Sequence, residues 1–211
     1  MFSRQKVFLF EFYIYRKQFP FILLNRKKTY YKNNYSSKIE ESVNRQIKAE
    51  QQAGQDYLNI AVTFLHPSKS QFGAGAFFMK MYKEELDHMH KFINYQLLRG
   101  GTPLIPGLEP PTPNKDLTLL NAFKQGLCME KEITVWGYFQ LLEDGVKLAE
   151  EVKDYHYADF VTSEFLTEQA RSINEMATHI TKLMAIGDNS HALYHYDLEL
   201  EKIHQLPHTK Q

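Results

Sequence analysis

The chain has one cysteine, Cys128, in 211 residues. A single thiol closes no intrachain disulfide, so the natural setting is a reducing compartment. Cys128 stands among apolar helix-forming residues, which reads as packing rather than chemistry. Long hydrophobic runs are also lacking. The apolar stretches 7–15 and 19–24 are split by Arg16, Lys17 and Gln18. Neither approaches the ~18–20 residues of a membrane span. Net charge is missing too, with 25 basic and 25 acidic residues. That balance hides an asymmetry. Residues 1–35 hold eight basic residues, one acid (Glu11) and a crowd of aromatics from Phe8 to Tyr31. The rest of the chain keeps 17 basic and 24 acidic residues, a formal −7. An acidic body suits cation handling and argues against a nucleic-acid binder.

The basic extension has the charge of an organelle presequence but not its Ala/Ser richness, and Glu11 interrupts its apolar part. We set 1–35 apart as a targeting segment or a disordered tail. A body over 36–205 and a short tail over 206–211 follow. The cytoplasm is the expected compartment, or a mitochondrion or other organelle if 1–35 is a presequence.

Helical periodicity organises the body. The spacing predicts a first helix from about Ser36 to Leu65, capped by Ser36 or Ser37 and ended by His66-Pro67-Ser68. Its apolar stripe is Val43, Ile47, Glu50, Gly54, Tyr57, Ala61, Phe64. A second helix is predicted over about 72–99, with the stripe Phe78, Met81, Glu85, His88, Phe92, Tyr95 and a stop at Arg99-Gly100-Gly101. The segment from Thr102 to Asp116 holds five prolines and cannot be helical. At roughly 3 Å per residue it can run the length of a ~28-residue helix. A third helix is predicted over about 118–146, weakened at Asp144-Gly145, with Leu120, Phe123, Leu127, Glu130, Thr134, Gly137 and Leu141 inward. A fourth covers about 154–186, with Ala158, Thr162, Phe165, Gln169, Ile173, Met176, Ile180 and Leu183 inward. A short last helix spans about 191–203. The expected fold class is all-α: a four-helix bundle with a long crossover between helices two and three and a short fifth helix.

Acids stand where core residues belong. Glu85 and His88, three apart, share one helix face and can hold one metal ion. Taken alone, such a pair is an ordinary solvated face. Glu50 and Glu130 change that, because each occupies the buried stripe of a different helix. Three buried carboxylates cannot all stay ionised in an apolar core unless cations sit among them. The alternative is a strained, protonated carboxylate cluster. Two iron ions in a bundle are commonly held by bridging and terminal carboxylates.

The motifs together resemble eukaryotic-type ferritin, of the heavy-chain kind. They are Val43-Asn-Arg-Gln-Ile47 with Glu50 and Tyr57, Glu84-Glu85-x-x-His88, Arg99-Gly100-Gly101, Met129-Glu130-Lys131, Phe165-Leu-Thr-Glu-Gln169 and the short last helix. The resemblance covers about 33–205. It implies a hollow shell of 24 subunits that binds Fe(II), oxidises it with O2 at a di-iron ferroxidase centre, and stores Fe(III) oxide. It implies Glu50, Glu85 and His88 at the first iron, Glu85 bridging to a second completed by Glu130, Gln169 hydrogen-bonding a water or peroxide, and Tyr57 beside the pair. It further implies a three-fold channel at Asp159 and Thr162, where one of two acids is replaced, and a nucleation patch with Glu84, Asp87 and His90. Lys80 and Lys83 sit near that patch. The segment from Gly145 to Tyr155 is about five residues longer than the family pattern. Gln169 has no His within one turn, and Glu168 is followed at the third position by Arg171, unlike bundles with a second Glu-x-x-His.

Two other classes fit less of this pattern. A non-catalytic subunit of a mixed shell would not need the whole six-residue set. A di-iron oxidase of an organic substrate would want a substrate pocket and a second Glu-x-x-His.

Overall fold

The structure, a computed structural model, describes residues 32, 34–111, 115–131 and 138–205, with the backbone alone at 138–140. The extension before Lys32, Pro113, Thr134, Gly137 and the tail over 206–211 lie outside the described residues. Among the described residues there is no strand, and no helix is long and apolar enough to cross a membrane.

Helix α1 spans Ser37–Leu65, and the Ser36 hydroxyl caps it by accepting from the Ile39 amide at 3.2 Å. Helix α2 spans Phe72–Leu98 and ends at Arg99, followed by Gly100 in the left-handed region at φ 75°. The two run antiparallel as the most extensive contact in the fold. Tyr35 meets Tyr95 at one end, and Phe64 stacks on Phe78 at the other. Every residue of both expected stripes is buried.

The connection after α2 is the expected crossover. It leaves beside Asn44, whose side chain bonds Thr102 and Leu104. It passes Gln52, bonded to both backbone groups of Glu109. It finishes near the far end of α1, where Lys69 donates to the Leu117 carbonyl at 2.6 Å. Helix α3 (Leu119–Lys131) therefore starts beside the start of α2. Helix α4 (Tyr138–Val152) follows.

The third helical segment ends later than the pattern predicts. Gly145 does not end it, and the helix continues to Val152. A Cβ at Gly145 would stand 3.1 Å from the Tyr157 hydroxyl, so the glycine makes room for a neighbouring helix instead of breaking its own. The expected long turn is absent: only Lys153 and Asp154 separate α4 from α5 (Tyr155–Val161). The extra residues lengthen a helix. The inward stripe is also corrected. Leu119, Ala122, Gly126 and Leu142 are buried, whereas Leu120, Leu127 and Leu141 are only partly so, and Cys128 is exposed rather than packed.

After α5 the chain makes a π-helical turn over Thr162–Leu166, then continues as α6 (Thr167–Ile186). The wider turn explains a second correction. Thr162 is exposed, and Tyr157, Val161, Phe165, Gln169, Met176 and Leu183 face inward. Helix α7 (Ser190–Ile203) returns onto the start of α2. Gln71 gives α2 no side-chain cap, and Asp197 supplies it by accepting from the Gly73 and Ala74 amides at 3.3 and 2.8 Å. A Cβ at Gly73 would lie 1.9 Å from the Asp197 carbonyl oxygen, so this approach requires glycine.

The core falls into two apolar clusters. One centres on Phe64, Phe77, Phe78 and Phe123. The other holds Ile39, Val43, Phe92, Leu142, Tyr157 and Phe165. Tyr35 belongs to the second: it is 5% exposed, donates to the Gln96 side chain and stacks under Arg99. The body thus takes in the last residue of the segment set apart from sequence. Arg99 reaches across to Asp154 through two aligned bonds of 3.0 and 2.8 Å, and Asp154 in turn caps α5.

Candidate metal centre

Between the two apolar clusters lies a polar layer. Glu50 from α1, Glu85 and His88 from α2, Glu130 from α3 and Gln169 from α6 are each less than a tenth exposed. Tyr57 is fully buried beside them. All six residues read from the stripes are in this one layer. Glu50, Glu85 and His88 each offer a ligand atom, and these atoms lie within 4.8 Å of one another. His88 Nδ1 is 3.2 Å from Glu85 Oε2 and 3.8 Å from Glu50 Oε2. On the other side, the Tyr57 hydroxyl donates to Glu130 Oε1 at 2.6 Å. The Gln169 amide donates to Glu130 Oε2 and, at 3.0 Å, to the Glu130 carbonyl. Tyr57 and Gln169 thus fix the Glu130 carboxylate from two helices.

Electrostatics follow from this crowding. Burial, then the charge of Glu85 beside it, pushes the Glu50 carboxyl well above the usual range. Burial and the Glu85 charge also raise Glu130, to about 8, against the opposing bonds from Tyr57 and Gln169. Burial disfavours the His88 imidazolium, but Glu85 and then Glu168 outweigh it and its pKa is raised. Without a cation the layer holds protons to limit its own repulsion. A divalent ion would replace them with a better counter-charge.

Sequence reasoning did not place Glu168. It is half-buried at the rim, with Oε2 3.3 Å from His88 Nε2 and 3.8 Å from Lys91 Nζ. Its only sequence signal is adjacency to Gln169. Gln46, one turn before Glu50, was likewise not singled out as part of the centre. It is 1% exposed, and neither amide atom has a hydrogen-bond partner among the described residues.

The weaker candidates lie apart. Glu84 is half-buried, and burial raises its pKa against the opposing charge of Lys80 at 3.4 Å. Lys80 also pairs with Glu175 at 3.5 Å. Lys83, Asp87 and His90 are exposed, as are Asp159 and Thr162.

Residues 40–186 match the ferritin-like domain. The chain belongs to the ferritin family. It is 34% identical to soma ferritin of Lymnaea stagnalis over 156 residues, which is 74% of this chain and 87% of that one. It is 29% identical to the ferritin-1 heavy chain of Schistosoma mansoni over 173 residues, 82% of this chain and 95% of that one. The middle subunit of ferritin from Aquarana catesbeiana is 31% identical over 168 residues, 79% of this chain and 93% of that one. The matched span of this ferritin contains all six residues of the polar layer, Asp159 and Thr162, and ends where α6 does.

Proposed function

We propose that this ferritin is a heavy-chain-like ferroxidase subunit. It binds two ferrous ions in the polar layer, oxidises them with O2, and passes ferric iron to an oxide store inside a shell of such chains. The observation that carries the reading is the convergence of Glu50, Glu85 and His88 within 4.8 Å, with Glu130 held beside them by Tyr57 and Gln169.

The roles follow from position. Glu50 and His88 are terminal ligands of the first ion. Glu85 faces both halves of the layer and bridges. Glu130 completes the second ion, which has fewer protein ligands and so releases its iron more readily. Tyr57 and Gln169 orient Glu130 and keep it from swinging out of the layer. Anionic oxygen ligands favour the harder ferric ion over the ferrous one, which supplies part of the driving force. Each Fe(II) gives one electron. Two electrons and two protons reduce one O2 to hydrogen peroxide, and the protons displaced from Glu50 and Glu130 are close by.

Iron would reach the layer through a three-fold channel of the shell, with Asp159 supplying a carboxylate ring and Thr162 a hydroxyl ring. The reading is tested by measuring O2 consumed per Fe(II) added at two ions per chain. Rapid uptake of about one O2 per two Fe(II), as the electron count above requires, supports it. Oxidation no faster than in protein-free buffer would instead indicate a storage-only subunit.

A further inference from the structure

The outward face of α7 carries metal-ligand side chains that the iron reading does not use. His191 and His195 are four residues apart, so their side chains rise from one face, a turn from each other. Their ring centroids are 4.5 Å apart, with the planes at 87°. Both are exposed, as is Glu199 one turn further on. The opposite face does the docking: Tyr196, Asp197 and Leu200 are buried. Among the described residues neither imidazole is engaged in a hydrogen bond or ion pair, so both rings are free to turn toward a common point.

Two histidines at this spacing on a helix direct two nitrogens at one ion, the arrangement that zinc-binding helices use. We propose that His191 and His195 form a surface clamp for a divalent transition cation that prefers imidazole, with Glu199 adding a carboxylate oxygen. The expected order is Cu2+ first, then Ni2+ and Zn2+, with ferrous iron weaker. The clamp differs in kind from the buried layer. The layer sets three carboxylates around one imidazole, away from water. The clamp leads with nitrogen and lies in solvent. It would therefore hold copper or zinc outside the bundle while the carboxylates serve iron. The proposal does not depend on the iron reading.

The test is Cu2+ titration of the full-length chain, followed by electron paramagnetic resonance. The background variant carries Glu85→Ala and His88→Ala, so the buried layer contributes no imidazole. The first equivalent of Cu2+ per chain should show hyperfine splitting from two nitrogens. His191→Ala and His195→Ala should each reduce this to one nitrogen and weaken binding at least tenfold. Glu199→Gln should weaken it less. Circular dichroism should not change, because all three positions are exposed. An unchanged signal in the His191→Ala, His195→Ala pair overturns the proposal. So does a signal lost with His195→Ala but untouched by His191→Ala, which would place the ion between copies of the chain.

Discussion

Glu168 Oε2 stands 3.3 Å from Nε2 of His88, the ring nitrogen opposite the one that meets Glu85 and Glu50. The ring is therefore oriented from both sides, and its Nδ1 is kept toward the layer. Carboxylates in this outer position fix the tautomer and raise ligand basicity. Lys91 lies 3.4 Å from Glu164 and 3.8 Å from Glu168, so the rim is an ion-pair network and not a lone acid.

Glu168→Gln should accordingly weaken the first metal site by roughly 10-fold to 100-fold. Oxidation at saturating iron should fall much less, because no ligand is lost. Anaerobic calorimetry with Zn2+ beside saturating-iron kinetics separates the two. Equal losses in both would make Glu168 a direct ligand.

Truncation should divide the extension at Lys32. Removing residues 1–31 should leave thermal stability of the body unchanged. Removing 1–35 deletes the buried Tyr35, its bond to Gln96 and its contact with Arg99. Loss of a buried aromatic costs about 3–5 kcal/mol. Denaturant melts of the two truncated chains check this, and equal midpoints would contradict it.

Two buried groups tilt the stability of the iron-free protein in opposite directions with pH. His179 stacks on Phe123, meets the Tyr196 hydroxyl at 2.5 Å, and is pushed down to about 4, chiefly by burial. The unfolded chain then binds the extra proton. The stability due to neutral His179 is whole above 6.5 and is lost as pH falls toward 4. Glu130 is raised to about 8, so its protonated form favours the fold. That contribution is whole below 4.5 and is lost as pH rises through about 8. In thermal melts against pH, His179→Gln should flatten the acid limb and Glu130→Gln the alkaline one.

Thr162→Glu should speed oxidation at low ferrous concentration, where delivery limits the rate, and change little at saturation. Asp159 and Thr162 are both exposed, as a channel lining requires. A second carboxylate ring would raise the local cation concentration in a narrow passage. The gain should shrink with added salt, because screening weakens the field. Initial rates at two ionic strengths decide it, and no change at low iron would move iron access elsewhere.

Much of this was legible in the sequence, for a physical reason. In α1 and α2 a single strong stripe meets a single core, so periodicity names Glu50, Tyr57, Glu85 and His88 without help from the structure. Around Gly145 and Thr162 periodicity fails. Glycine reads as a breaker by its intrinsic preference, yet here its missing side chain admits the Tyr157 hydroxyl. A π-helical turn changes the spacing that a 3.6-residue period assumes, so Thr162 was drawn inward when it faces out. Glu168 was unseen because its partner is on another helix, and pairing across helices leaves no mark in local spacing.

The central claim is that the polar layer oxidises iron. Glu85→Ala with His88→Ala removes the bridging carboxylate and the imidazole, and loss of buried charge should leave the fold intact. Stopped-flow absorbance after mixing with aerobic Fe(II) is the direct measurement, with helix content checked on the same sample. The account predicts rapid oxidation in the natural chain and a fall to the protein-free rate in the double variant, at equal helicity. A double variant that oxidises iron as fast as the natural chain would contradict it.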